Sequence, residues 1–222
     1  MEICLSDDFN LDEKNIDEVI DLRISVQMIT HSLPQKTQEY MGTLLQKYLN
    51  ECGMGSYYHK LNYCLSEILI NAIKANMKRV YFQEYSLDIN NPLDYINGMK
   101  NFRNEMLEKR EYYLNKLRNS NFYVTYLLKI EDSKLIIEVR NNSVMTEEES
   151  LRVKEKIKTA GAFNSENLLN EELDDSEGAG FGIKSIVLTL RSFGLPGDHY
   201  LLYTDDNETV AKLIIEQPII EI

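Results

Sequence analysis

No apolar run in this chain approaches the roughly 20 residues of a membrane span. Its start, MEICLSDDFN, is acidic where a secretory signal would be basic and then apolar. Cysteine is scarce: Cys4, Cys52 and Cys64 have no metal-ligand spacing, and an odd count argues against a disulfide framework. A soluble, cytoplasmic protein is the expectation. Positive charge is short as well, with 24 basic against 36 acidic side chains and a net charge of −12. Such a field repels nucleic acid and anionic membranes unless a local basic patch overrides it. The lysines and arginines are dispersed, mostly among glutamates, so neither nucleic acid nor membrane is expected as a partner. Internal repeats and low-complexity tracts are absent too.

What remains is ordinary globular material. The 222 residues, 43% apolar and 27% charged, suffice for one sizeable core. Residues 1–20 are polar and acidic, a loose arm or a short helix. LRISVQMI, Leu22 to Ile29, alternates as a half-buried strand does. Pro34 to about Glu51 reads as a helix with Ser32 as a candidate cap, Pro34 in the first turn and Gly53 at the end. Residues 57–77 form the clearest helix, with Leu61, Leu65, Ile68, Leu69, Ala72 and Ile73 on one broad side. Two strands follow within residues 121–142, turning at Glu131–Lys134. Thr146 with Glu149 three residues on has the form of a capping box opening a short helix. After GAGFG, IKSIVLTLRSF is apolar enough for a buried helix, and HYLLYTDD with ETVAKLIIEQ reads as a second hairpin. The segment Pro92–Ser120 is a long helix or a helix pair. The sum is an α+β layered domain.

Two stretches carry chemistry. Glu67, Asn71 and Lys74 stand at i, i+4 and i+7, within a narrow arc opposite the apolar side of their helix. A solvated polar stripe is the ordinary explanation of such a face, although asparagine is a mediocre helix former to place mid-helix. The other explanation is a ligand site. A carboxamide oxygen is a neutral, hard ligand suited to Mg²⁺, a glutamate one turn away can act as a base, and a lysine can approach phosphate. The second stretch is SEGAGFGIKS, Ser176 to Ser185. Ile183 precedes Lys184 where a P-loop needs glycine, and the same residue occupies the third glycine of a dinucleotide fingerprint.

SEILINAIKAN resembles the N box of the GHKL ATPase superfamily (gyrase, heat-shock chaperones, histidine kinases and MutL), and GAGFGIKSI resembles its second glycine box. The order also fits: N box, strand hairpin, lid, glycine box, helix, final strands. The resemblance covers roughly residues 20 to 218 and implies a two-layer α/β sandwich of the Bergerat type. It further implies ATP and Mg²⁺ as cofactors. Asn71 would be the metal ligand, Glu67 the catalytic base, and Lys74, Gly178, Gly180 and Gly182 phosphate contacts. A lid would run from about Thr159 to Glu177. One departure stands out. After LIIEVR the family has an aspartate that binds the adenine amino group, followed by two spaced glycines. Here Asn141 takes the aspartate position, and Ser143 and Met145 take those of the glycines. An asparagine oxygen still accepts from an amino group, more weakly than a carboxylate.

Only 36 residues separate His31 from Glu67, too few for the dimerisation hairpin of a histidine kinase plus a strand and a helix. The layout is closest to the anti-sigma-factor serine kinases. The expected domain layout is an arm, 1–20, then a nucleotide-binding domain, 21–222, with a helical insertion at about 88–120. The expected function is ATP/Mg²⁺ binding in signalling, as a protein kinase, an ATPase or a nucleotide-dependent switch acting on a protein partner or protein substrate. A homodimer is a further option. The alternative is a non-catalytic interaction or phosphotransfer adaptor. In it the insertion offers Met99, Phe102 and Met106 to a partner, against the simpler explanation that they pack on their own domain. The acidic runs Glu171–Gly178 and TEEES are expected to be a solvated lid segment and a helix start.

Overall fold

A computed structural model describes residues 3–5, 25–162, 181–195 and 199–216. Six strands form one sheet: β1 (Ile3–Leu5), β2 (Val26–Thr30), β3 (Val124–Glu131), β4 (Lys134–Asn141), β5 (Tyr200–Asp205) and β6 (Glu208–Ile215), in the order β1-β2-β3-β4-β6-β5. β1 runs parallel to β2, and the other neighbouring pairs are antiparallel. The helices are α1 (Gln35–Glu51), α2 (Tyr58–Glu84), α3 (Pro92–Glu108), α4 (Arg110–Arg118), α5 (Glu147–Ala162) and α6 (Phe181–Arg191). The α+β expectation holds at this level.

The pairing register sorts the strand residues by face. Met28, Tyr126, Val139 and Ala211 lie side by side across four strands, as do Val26, Leu128, Ile137 and Leu213. All eight are buried, and α1 and α2 pack on this face. The opposite face of β4 and β6 carries charge. Arg140 reaches Glu138 at 3.0 Å, Asp205 at 3.1 Å and Glu208 at 3.2 Å, and Lys212 reaches Glu138 at 3.0 Å. Strict alternation is what fixes this register, because a one-residue slip would exchange the two faces. The β3–β4 turn is a two-residue loop, with Asp132 at φ 51° and Ser133 at φ 63°. Short polar residues tolerate that region and suit the twist of a hairpin.

Helix α2 extends past the expected end near residue 77 to Glu84. Its first half buries one side, through Leu61, Cys64, Leu65, Ile68 and Leu69. From Asn76 to Phe82 every residue is buried. The cause is the segment 92–120, which is a helix pair (α3 and α4) packed around the C-terminal half of α2. Tyr81 meets Phe102 at 5.4 Å and Tyr113 at 5.9 Å between ring centroids, and Phe82 meets Tyr95 at 6.0 Å. Each such buried aromatic contributes on the order of 1.5–3 kcal/mol by burial alone. Met99 and Phe102 are therefore core residues (7% and 9% exposed), and Met106 is half-buried against the same core. Met99 and Phe102 are not on offer to a partner, whereas Met106 keeps part of its surface at the cleft described below.

Two local expectations also change. Ser32 does not cap α1. Pro34 occupies the cap position with no side-chain cap bond, while the buried Ser32 Oγ accepts from Arg118 Nε at 3.4 Å. Within the expected arm, Ile3–Leu5 is an edge strand paired with Val26–Met28. Leu22 and Ile24 lie outside the described residues. Gly53 ends α1 as expected, at φ 69°, with Met54 N donating to Leu49 O at 2.7 Å.

Candidate functional site

The N-terminal half of α2 and the start of α6 meet through a missing side chain. A Cβ on Gly182 would lie 2.8 Å from Glu67 Oε2 and 3.2 Å from Asn71 Nδ2. No alanine fits there unless those two side chains move, so glycine is what lets the first turn of α6 come against them. The helices then run antiparallel. Tyr63 Oη donates to Ser185 Oγ at 3.2 Å, and Lys60 Nζ donates to Ser192 Oγ at 3.1 Å. The N-terminus of α6, with its unsatisfied amides and positive partial charge, consequently points toward the Asn71–Lys74 end of the stripe.

Glu67, Asn71, Lys74 and Gly182 line one cleft of about 1100 Å³. Asn141 lines it as well, from the end of β4. Its carboxamide is fixed. Asn141 Nδ2 donates to Ala72 O at 3.0 Å and to Asn76 Oδ1 at 3.4 Å. Asn76 is itself fixed, donating from Nδ2 to Tyr123 O at 3.1 Å and accepting from Ser143 Oγ at 3.0 Å. Both hydrogens of Asn141 are committed, so its orientation is set and Oδ1 faces the other way. That oxygen is buried and has no partner among the described residues. Leaving a buried acceptor unpaired costs about 1–3 kcal/mol, which a ligand N–H reaching it would relieve. An aspartate here would point a carboxylate oxygen at the Ala72 carbonyl. The asparagine is thus explained by its neighbours.

Met145 lines the same cleft, half-buried, and Thr209 Oγ1 donates to Ser143 O at 2.7 Å, tying the 142–146 loop to β6. The floor is apolar, from Val139, Ala211, Tyr200 and Leu202. The residues brought together are therefore a stripe on α2, the start of α6 and an orphaned acceptor on β4, three stretches far apart in sequence. Gly178 and Gly180, most of the expected lid and the acidic run Glu171–Gly178 lie outside the described residues.

At the far end of the stripe stands a cluster that sequence reasoning missed. Lys78 and Arg79 are buried, and both reach Glu149: Lys78 Nζ at 2.8 Å from Oε1 and Arg79 Nη2 at 2.6 Å from Oε2. Arg79 Nη2 also donates to Val144 O at 2.8 Å. The expected capping box is present, with Glu149 N donating to Thr146 Oγ1 at 3.1 Å and Thr146 N donating to Glu149 Oε2 at 3.0 Å. TEEES is thus more than first-turn acid, since one glutamate caps α5 and clamps it to α2. Burial alone would raise the Glu149 pKa. The Lys78 and Arg79 charges and hydrogen bonds outweigh it and bring the carboxyl from its ordinary 4.5 down to about 2.

The cleft gathers cations that are dispersed in the sequence. Lys74 and Lys78 of α2 and Arg152 and Lys156 of α5 line it, as do Arg103, Arg110 and Arg118 of α3 and α4, against Glu67, Glu111 and Glu149. A local basic wall therefore exists within a chain of net charge −12. Arg152 and Lys156 at i and i+4 were a helical-face signal that could have revealed part of it. Among the described residues no three His, Cys, Asp or Glu side chains form a metal cluster. A cation here would be held by Asn71 together with the oxygens of a bound anion. His31 lies at the end of β2, where Nδ1 donates to Phe122 O at 2.7 Å, a structural bond.

No family model matches the chain, and no solved structure matches it. It is similar to an uncharacterized protein of Treponema pallidum (strain Nichols), with 36% identity over 210 residues. The match covers 94% of this chain and 41% of that protein, so the chain spans less than half the length of its relative. No helix among the described residues is long and apolar enough to cross a membrane.

Proposed function

We propose that this chain is a nucleotide-binding signalling domain of the GHKL type, a two-layer Bergerat-like sandwich that binds ATP with Mg²⁺ and acts as a protein kinase or nucleotide-dependent switch. The observation that carries the reading is the convergence at one cleft of the Glu67–Asn71–Lys74 stripe, the close approach of Gly182, and the unpaired, orientation-locked oxygen of Asn141. The residues suit such a ligand. Asn141 Oδ1 accepts from an exocyclic amino group, the apolar floor takes the flat face of a base, and Lys74 with the amides at the start of α6 faces phosphate oxygens. Bound Mg²⁺ would neutralise phosphate charge, and Asn71 is the residue to hold it.

In the kinase form, Glu67 accepts the proton of a substrate hydroxyl as its oxygen bonds to the terminal phosphorus and the bond to the leaving nucleoside diphosphate breaks. Electrostatics and positioning do most of the work in that chemistry, which suits a cleft whose cations outnumber its carboxylates. The alternative of a purely non-catalytic adaptor is less well supported, because two of the three apolar residues offered for it, Met99 and Phe102, are buried in their own domain. The test is turnover of terminally labelled ATP. Glu67→Ala is expected to keep nucleotide binding and lose label transfer or release by at least about 100-fold, the lower end of the typical effect of a general base. An alanine variant as active as the parent would remove Glu67 from the chemistry.

A further inference from the structure

The cleft is larger than a nucleotide needs. Its volume of about 1100 Å³ lies just above the roughly 300–1,000 Å³ usual for small-ligand sites. Part of its lining comes from elements with no role in the nucleotide reading, the β2–α1 turn and the α3–α4 pair. On α4, Arg110, Leu114 and Arg118 stand at i, i+4 and i+8 and share one face. At the end of α3, Met106 and Leu107 line the cleft beside them. Arg110 and Arg118 are exposed, and Leu107 is 75% exposed. Arg118 is oriented by its bond from Nε to Ser32 Oγ in the β2–α1 turn.

This pattern differs from a solvated helix face. Guanidinium groups at both ends bracket apolar side chains, in a chain where acids outnumber bases 36 to 24. Guanidinium forks match carboxylates bidentately. Their separation of eight residues on α4 is roughly 12 Å along the axis, which an extended chain covers in about four residues. A small free anion would leave the apolar surface unused. A nucleic acid or an anionic membrane would bring its charge against the acidic remainder of the surface.

We propose that the α3–α4 wall binds an extended acidic segment of a protein substrate. Two carboxylate side chains about four residues apart engage Arg110 and Arg118, and an apolar side chain between them rests on Met106, Leu107 and Leu114. The wall lines the same cleft as Glu67, Asn71 and Lys74 of α2. A hydroxyl carried by the segment is therefore delivered to the compartment that holds Glu67. What happens to the segment rests on the kinase reading, whereas its binding does not.

The test is fluorescence anisotropy with a labelled Gly-Glu-Ser-Leu-Thr-Glu-Gly peptide, its lysine-for-glutamate counterpart, and a version with the glutamates adjacent. Saturable binding of the first, at least tenfold tighter than either control, is expected near physiological salt. The double variant Arg110→Glu/Arg118→Gln, with helicity checked by circular dichroism, should lose at least tenfold of that affinity and bind ATP as before. Equal binding of acidic and basic peptides, or acidic binding untouched by the double variant, overturns the proposal. Displacement of the peptide by a single-stranded oligonucleotide would reassign the wall to nucleic acid. A dimer dissolved by the double variant would reassign it to a second copy, and either result overturns it. If the parent fails to bind ATP but binds the peptide as described, the nucleotide reading falls and this one stands.

Discussion

The polar side of α2 divides into two halves with opposite environments. Toward the C-terminus, Lys78 and its neighbour Arg79 are buried and bound to Glu149. Toward the N-terminus, Glu67, Asn71 and Lys74 make no hydrogen bond or ion pair among the described residues, and Asn71 and Lys74 are exposed. The helical period alone would treat Glu67, Asn71, Lys74 and Lys78 as one stripe. What separates them is whether the fold supplies a partner. Where it does, the charges hold α5 to α2; where it does not, they are left facing a cleft. The first half contributes stability and the second is available to a ligand.

The contrast can be broken from the stable end first. Glu149→Ala removes the carboxylate that Lys78 and Arg79 share and the side-chain half of the α5 capping box, and should cost about 3–5 kcal/mol in urea unfolding. The sign in pH follows from its lowered pKa. The contribution of Glu149 is fully present above about 4.5 and is lost as pH falls toward about 2. Parent stability should fall through that window, and Glu149→Gln should show a flatter profile there. A parent and variant with the same acid profile would mean that the clamp carries no net stability.

Next in size is Asn141→Asp. Although it installs the residue the family resemblance would favour, it sets a carboxylate oxygen against the Ala72 carbonyl and the Asn76 oxygen. It should destabilise by about 1–3 kcal/mol, and a stabilised variant would contradict the locked orientation of Asn141. Smaller in stability but larger in function is Gly182→Ala. Alanine favours a helix by up to about 1 kcal/mol, which offsets part of the clash with Glu67 and Asn71. Unfolding should therefore shift by less than about 1 kcal/mol while nucleotide affinity falls about tenfold, equivalent to 1.4 kcal/mol. Unchanged affinity would show that the close approach at Gly182 does not shape the site.

The legible parts of this chain were those decided by near neighbours. The Asp132–Ser133 turn, the Thr146–Glu149 capping box, the end of α1 at Gly53 and the two hairpins each rest on contacts within a few residues. The stripe and Gly182 were found by spacing and by resemblance, and the fold brings them within contact. What sequence could not reveal depends on distant partners. Ile3–Leu5 has too few residues to alternate and becomes a strand by pairing with β2. Lys78 and Arg79 look like surface until Glu149, some 70 residues on, is placed beside them. Ser32 looks like a cap because the arginine that binds its hydroxyl lies 86 residues away. The basic wall was invisible for the same reason, since its members come from α2, α3, α4 and α5.

The central claim is that the unpartnered half of the stripe holds a nucleotide through Mg²⁺. Isothermal titration calorimetry of the parent and of Asn71→Ala with ATP and ADP, each with and without Mg²⁺, tests it most directly. Alanine at an exposed position should leave stability within about 0.5 kcal/mol, so any change reports on binding. The account predicts saturable nucleotide binding by the parent that Mg²⁺ strengthens, and binding by Asn71→Ala that no longer responds to Mg²⁺. No heat of binding at millimolar nucleotide, or an undiminished Mg²⁺ response in the variant, would contradict it.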